Sequence, residues 1–209
     1  MEIIRKYFPE LSSVQLAQLQ QFQESIIHWN QRINLISRKD VDHLSERHML
    51  HSLSIARYVH FNPGDTILDV GTGGGFPGIP LAIYFPGSEF TLIDSIGKKV
   101  NAVSQIIHTL NIDNANCRQV RVENYPSKAR YVVSRAVTNL DRFTGWVKNK
   151  IYPPSGTSKG NGIYYLKGGD LHEELRAFKN ITVHPLKEIY SEPFFESKKL
   201  LYLPYHSLH

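Results

Sequence analysis

Apolar residues recur at helical intervals between Ser12 and Ile33: Leu19, Phe22, Ile26, Trp29 and Ile33 follow one another at spacings of 3 or 4, against a glutamine-rich back. Ser12 with Gln15 three residues later supplies a capped helix start. A second helix is predicted from about Val41 to Val59, through DHLSERHMLHSLSIARYV, and the NPGD turn, Asn62 to Asp65, closes this helical section. The period then changes. TILDV and EFTLID read as buried strands with the helix IPLAIYF between them. The pattern continues with a helix at GKKVNAVSQIIHTLN, strands near CRQV and at YVVSR, a helix at LDRFTGWVKNKI and a strand at GIYYLK. Such alternation implies right-handed crossovers and a parallel sheet covered on both faces. DLHEELRAF then reads as helical, and ITVHPLKEIY and KKLLYLPY as strands able to pair antiparallel at the end of the sheet. PPSGTSKGNG, Pro153 to Gly162, is a loop by composition and a candidate mobile segment. The division this implies is a helical N-terminal extension over residues 1–62 and a Rossmann-like core over residues 63–209, forming one compact unit.

Composition narrows the class without naming it. With 209 residues and 41% hydrophobic content the chain can bury a core without covalent staples. It has no apolar run of membrane-spanning length, and MEIIRKYFPELSS lacks the apolar segment of a secretory signal, so a cytoplasmic, membrane-free protein is expected. Cys117 is the sole cysteine, which excludes an intramolecular disulfide and a cysteine-rich zinc site; it reads as a small hydrophobe beginning a strand. The formal charge of +5 favours an anionic partner such as nucleic acid but does not establish one.

The chemistry concentrates in ILDVGTGGGFPGIPLA, Ile67 to Ala82. It follows the first strand, where an open α/β sheet binds its ligand, and Gly71, Gly73 and Gly75 leave the backbone bare enough for close approach. Two details argue against a dinucleotide. Asp69 is expected at the mouth of the loop, where its charge would repel a pyrophosphate, and Pro77 and Pro80 remove N–H donors from the helix start that would otherwise hold phosphate. A cationic, phosphate-free ligand is indicated, and S-adenosylmethionine fits. Asp94, ending the second strand, is placed to accept from ribose hydroxyls with Ser95 assisting, or else to cap the helix near Gly97.

Taken together, HWNQRINLIS, RHMLHSL, LDVGTGGGFPGIPLA, LIDSIGKKV, RVENY, SRAVTNL and LKGG resemble, in order and over roughly residues 25–170, the RsmG (glucose-inhibited division protein B) methyltransferases. His51 departs from that pattern, standing where family members often carry an acid, and the C-terminal part diverges. The resemblance implies a class I S-adenosylmethionine-dependent methyltransferase with a mostly parallel seven-stranded sheet and a helical N-terminal extension. It also implies N7 methylation of one guanine in 16S ribosomal RNA, in the decoding region of the small subunit or its precursor. Cofactor contacts carried over by motif are Gly71 and Phe76 in the glycine loop, Val122 and Glu123 in RVENY, flanking the adenine, and Arg135 in SRAV, which could instead link the cofactor pocket to RNA.

Guanine N7 presents a lone pair and has no proton to lose, so no general base is expected; Arg135 and Lys167 are candidates for positioning. SRAV stands where amine methyltransferases of the class often carry an Asn/Asp-Pro-Pro-aromatic motif, which disfavours adenine-amine chemistry. Candidate RNA contacts are Arg47, His48, Arg121, Arg135 and Lys167, while Lys98 and Lys99 read as solvated helix charges. His48 and His51 are one helical turn apart without a carboxylate in register, so no metal is expected, and Trp29 and Trp146 read as core. A monomer is expected. Two rivals remain at this level: a small-molecule methyltransferase on the same sheet, and a module that binds nucleotide or cofactor without turnover.

Overall fold

The computed structural model describes residues 1–154 and 160–208; the central residues of the 153–162 loop lie outside that range. A short helix not read from the sequence, α1 (Glu2–Tyr7), precedes α2 (Ser13–Asn30). The start of α2 is the expected one: Gln15 N donates to Ser12 Oγ at 3.2 Å and Ser12 N to Gln15 Oε1 at 3.0 Å, so two otherwise orphaned donors are satisfied. Leu19, Phe22 and Ile26 are fully buried, each adding about 1.5–3 kcal/mol. Asn30 ends the helix, its Oδ1 accepting from Leu35 N (2.8 Å) and Ile36 N (3.0 Å) and so turning the chain back over the sheet.

The continuous helix expected over residues 41–59 is instead a composite. A 3-10 turn (Arg38–His43) leads into a π turn (Ser45–Leu50), then one turn of α3 (His51–Leu53) and a second 3-10 turn (Ser54–Arg57). Ser52 Oγ donates to His48 O at 2.6 Å and Ser54 Oγ to Leu50 O at 3.0 Å, so side-chain hydroxyls compete with the regular backbone ladder here.

The remainder alternates as expected: β1 (Thr66–Val70), α4 (Gly78–Tyr84), β2 (Glu89–Asp94), α5 (Gly97–Thr109), β3 (Ala115–Gln119), β4 (Tyr131–Arg135), α6 (Leu140–Val147), β5 (Gly162–Gly168), α7 (His172–Leu175), β6 (Thr182–Pro185) and β7 (Lys198–Pro204). The strands form one seven-stranded sheet in the order β3-β2-β1-β4-β5-β7-β6. β1 to β5 pair parallel, with Leu68 opposite Thr91 and Val132, whereas β7 runs antiparallel to both β5 and β6. Cys117 lies in the middle of β3 opposite Leu92 and is only half-buried.

Strand alternation sends side chains into two cores. Ile67, Phe90, Leu92, Tyr131 and Val133 pack with α2, the 41–57 segment, α4 and α5, whereas Leu68, Val70, Val132, Ile163 and Tyr165 pack with α6 and α7. The helical extension thus builds one side of the principal core. Among the described residues no helix is long and apolar enough to cross a membrane.

Candidate cofactor and acceptor site

At the carboxyl ends of β1, β2 and β4 lies a cleft of ≈ 390 Å³, walled by Val70, Gly71, Asp94, Ser95, Ile96, Lys99, Arg121, Val122, Glu123, Val137 and Trp146. This is the edge at which a parallel sheet binds its ligand. A hollow of ≈ 480 Å³ between Pro86–Glu89 and Asn111–Asn114 lies instead at the amino ends of the strands.

Of the residues read from the sequence, Gly71, Asp94, Ser95, Val122, Glu123 and Arg121 line the cleft. Gly71 has φ +71°, and a Cβ there would lie 2.6 Å from Val137 Cγ2, so the wall closes only around a glycine. Asp94 ties the floor together: Oδ2 accepts from Gly73 N at 2.9 Å and Oδ1 from Ile96 N at 2.9 Å. It therefore serves the glycine loop and the entry to α5 at once, and an ionised carboxylate retains lone pairs for further donors.

Other expected residues stand elsewhere. Gly73 and Gly75 shape the loop without lining the cleft; the Cβ position of Gly75 is taken by Ile79 Cδ1 at 2.7 Å. Phe76, expected beside the cofactor, is 2% exposed and packs against Phe22 (centroids 5.1 Å apart) and His48 (5.2 Å). Arg135 shares the strand face of Tyr131 and Val133, and so turns away from the cleft into the principal core. There its NH1 donates to Arg47 O at 3.2 Å and its NH2 to His48 Nδ1 at 2.8 Å, with the guanidinium 5.0 Å over the Phe76 ring.

Asp69 corrects an expectation. Instead of standing at the mouth, it is fully buried on the same face of β1 as Ile67. Its Oδ2 accepts from Thr72 Oγ1 (2.6 Å) and Gly78 N (2.9 Å), while Oδ1 has no partner. Burial raises its pKa to about 7 against the opposing pull of those two bonds and of Arg135. The helix start nevertheless lacks phosphate donors, as expected from Pro77 and Pro80: Gly78 N is spent on Asp69, Ile79 N on Gly75 O and Leu81 N on Pro77 O.

The RNA candidates divide. Arg121 is exposed on the cleft rim. Arg47 pairs with Asp40 at 2.8 Å and lies over Phe194 at 5.8 Å. His48, 8% exposed, is an acceptor for Arg135 and not a surface contact; burial, and then the neighbouring Arg135, push its pKa to about 3. Lys167 is likewise buried: its Nζ donates to Thr138 O at 3.2 Å and forms an ion pair with Glu174. It braces the segment after β4 rather than presenting a free cation. His51 is buried with Nε2 unpartnered beside the Phe194 ring, and burial, with Arg135 and Lys198 nearby, holds it neutral.

The sequence reading missed Val137, Trp146 and Lys99. Trp146 is half-buried in the cleft wall with Arg142 5.3 Å over its ring, so it is not simply core. Its signal was the amphipathic edge of α6: Phe143 and Val147 are buried, and Trp146, one turn from Phe143, falls at the boundary. Val137 follows Ala136, which takes φ +51° to leave β4 sharply, a kink no residue type announced.

Strand order and cleft together define the class: this is a class I S-adenosylmethionine-dependent methyltransferase fold, Rossmann-like with an antiparallel seventh strand. A solved structure of a SAM dependent methyltransferase from Aquifex aeolicus superposes with a TM-score of 0.58 over 81% of this chain and 98% of its own, at 14% identity. The chain belongs to the GidB family, rRNA small subunit methyltransferase G, whose model matches residues 15–200. It is 49% identical over 204 residues to the ribosomal RNA small subunit methyltransferase G of Flavobacterium johnsoniae, covering 98% of each chain, and 46% identical to that of Christiangramia forsetii, covering 98% of this chain and 97% of the relative.

The residues present fit S-adenosylmethionine. The cleft joins acceptors at Asp94 and Glu123 to an apolar wall of Val122, Ile96, Val137 and Trp146, as a base with a ribose requires, and the glycine loop offers no anion cradle.

Proposed function

We propose that this cleft carries out S-adenosylmethionine-dependent N7 methylation of a guanine in 16S ribosomal RNA of the small subunit or its precursor. The observation that carries this reading is the cleft at the carboxyl edge of a methyltransferase sheet, in a chain of the rRNA small subunit methyltransferase G family. The cofactor supplies a methyl group on a sulfonium. Asp94, held by two backbone N–H groups, accepts from ribose hydroxyls, and Glu123 with Val122 and Ile96 receives the adenine. Gly71 lets the loop backbone approach while Val137 closes the other side.

The acceptor nitrogen has a free lone pair, so the protein need only orient it and stabilise spreading positive charge, and no side chain has to take a proton. Trp146 and Val137 exclude water at the mouth. Arg121, Lys99 and Arg142 stand on or beside the rim, which suits a phosphodiester chain better than an apolar metabolite. A ribosomal substrate supports a cytoplasmic reaction, and on this reading the protein acts as a monomer.

The test offers labelled cofactor with small subunits from cells lacking the endogenous enzyme, naked ribosomal RNA and a small-metabolite pool. Label is expected in RNA and not in the metabolites; label in a metabolite alone would refute the reading.

A further inference from the structure

Three pieces of chain that are remote in sequence meet at Arg135. It ends β4, the ring beneath its guanidinium is Phe76 of the glycine loop, and its two hydrogen-bond acceptors, Arg47 O and His48 Nδ1, lie in the π turn of the helical extension. The His48 ring also packs on Phe76, which itself packs on Phe22 of α2. The same π turn therefore touches the loop and holds the strand end. Such turns displace carbonyls from the regular ladder, and Arg47 O is directed here to the guanidinium.

We propose, building on the methyltransferase reading, that His48 is a positioning residue: its unprotonated Nδ1 fixes Arg135 over Phe76 and so sets the register of the helical extension against the glycine loop. Guanidinium has donors only, so the 2.8 Å contact requires the lone pair on Nδ1 and puts the proton of His48 on Nε2. Nε2 faces Asp40 Oδ2 at 3.8 Å, which orients the ring without forming a full hydrogen bond. Protonating Nδ1 would remove the acceptor and set two cations in contact, so the joint would open rather than weaken. The charged groups facing His48 are Arg135 from β4, Asp40 from the preceding 3-10 turn, and Arg47 of its own turn; His51 faces the same cluster. Of these only Asp40 favours a charged imidazole, and it is already engaged by Arg47. Burial of Arg135 lowers its pKa only to about 10, so the donor stays charged at neutral pH.

This role differs from an RNA contact in what it moves. Imidazole nitrogen NMR of the full chain is expected to show His48 as the single Nε2–H tautomer throughout about pH 5.5 to 8, and Arg135→Met is expected to release it into mixed tautomers. In turnover on small subunits, His48→Ala is expected to lower kcat by about tenfold or more while the RNA KM stays within about twofold. His48→Asn, whose amide oxygen occupies the Nδ1 position, is expected to restore most of that loss, and His48→Ala is expected to add nothing in the Arg135→Met background.

A proton on Nδ1 or an ordinary titration of His48 in the unaltered protein, additive losses, or a loss confined to RNA KM would overturn the proposal. The NMR arm needs no turnover, so failure of the unaltered protein to methylate RNA would count against the function alone.

Discussion

Gly71 and Gly78 exclude a side chain for different reasons. At Gly71 both φ +71° and the 2.6 Å approach of Val137 Cγ2 oppose a side chain, on the wall of the cleft itself. Gly71→Ala is expected to weaken binding of S-adenosylhomocysteine by about tenfold or more while costing roughly 1–2 kcal/mol of stability, by calorimetric titration and thermal melting respectively. At Gly78 a Cβ would lie 2.6 Å from Asp69 Oδ2 and 2.7 Å from Leu92 Cγ, so substitution there strikes the core instead. The buried histidines give a pH signature. His48, ionising near its ordinary value when unfolded and only at about 3 when folded, contributes stability that is present above about pH 6.5 and lost as pH falls. Between pH 7 and pH 5 this amounts to roughly 2 kcal/mol, at about 1.36 kcal/mol per pH unit below the unfolded pKa, readable as a steeper acid loss of stability in the unaltered protein than in His48→Phe. Asp69 acts oppositely in the same interval: its raised pKa favours the fold at low pH, and that stability is lost as pH rises toward about 7. Asp69→Asn should therefore steepen the acid loss of stability.

At the scale of elements, periodicity carried the most information where one face is buried. TILDV, EFTLID and YVVSR are β1, β2 and β4 to the residue, and the Ser12–Gln15 pair marks the start of α2, because pattern and cap are local properties of the chain. Ser12→Ala is accordingly expected to cost about 1 kcal/mol in chemical denaturation. The π turn at Ser45–Leu50 was hidden because part of what engages it is tertiary: Arg135, far along the chain, donates to the Arg47 carbonyl. The ion pair of Lys167 was hidden for a related reason. Its place at the end of β5 was legible, but Glu174, which binds it, lies in a single helical turn whose position depends on the sheet. Lys167→Ala should therefore lower stability by about 2 kcal/mol, less than for a fully enclosed pair because Glu174 is 31% exposed, with its effect on turnover following from the loosened Thr138 segment. The sheet edge itself collects Gly71, Asp94, Ser95, Val122 and Glu123 into one cleft, whereas a basic residue's type does not say whether it is solvated or paired.

Over the whole molecule, the helical extension is not an appendage to a finished core. Leu19, Phe22, Ile26, Leu44 and Met49 are all fully buried in the same cluster as Ile67, Phe90 and Val133 of the sheet. A chain beginning at residue 63 is expected to lack cooperative unfolding and native-like dispersion in its NMR spectrum; a cooperative transition would show that the core stands alone. The same packing places the Arg135 joint between extension and glycine loop and leaves the cleft on the other face of the sheet edge. The most direct test of the account is the identity of the modified nucleoside. Small-subunit RNA methylated by this protein in the presence of S-adenosylmethionine is digested and its nucleosides resolved by mass spectrometry. The account requires 7-methylguanosine at a single site in 16S ribosomal RNA; an N6-methyladenosine, a ribose-methylated nucleoside or unmodified RNA would contradict it.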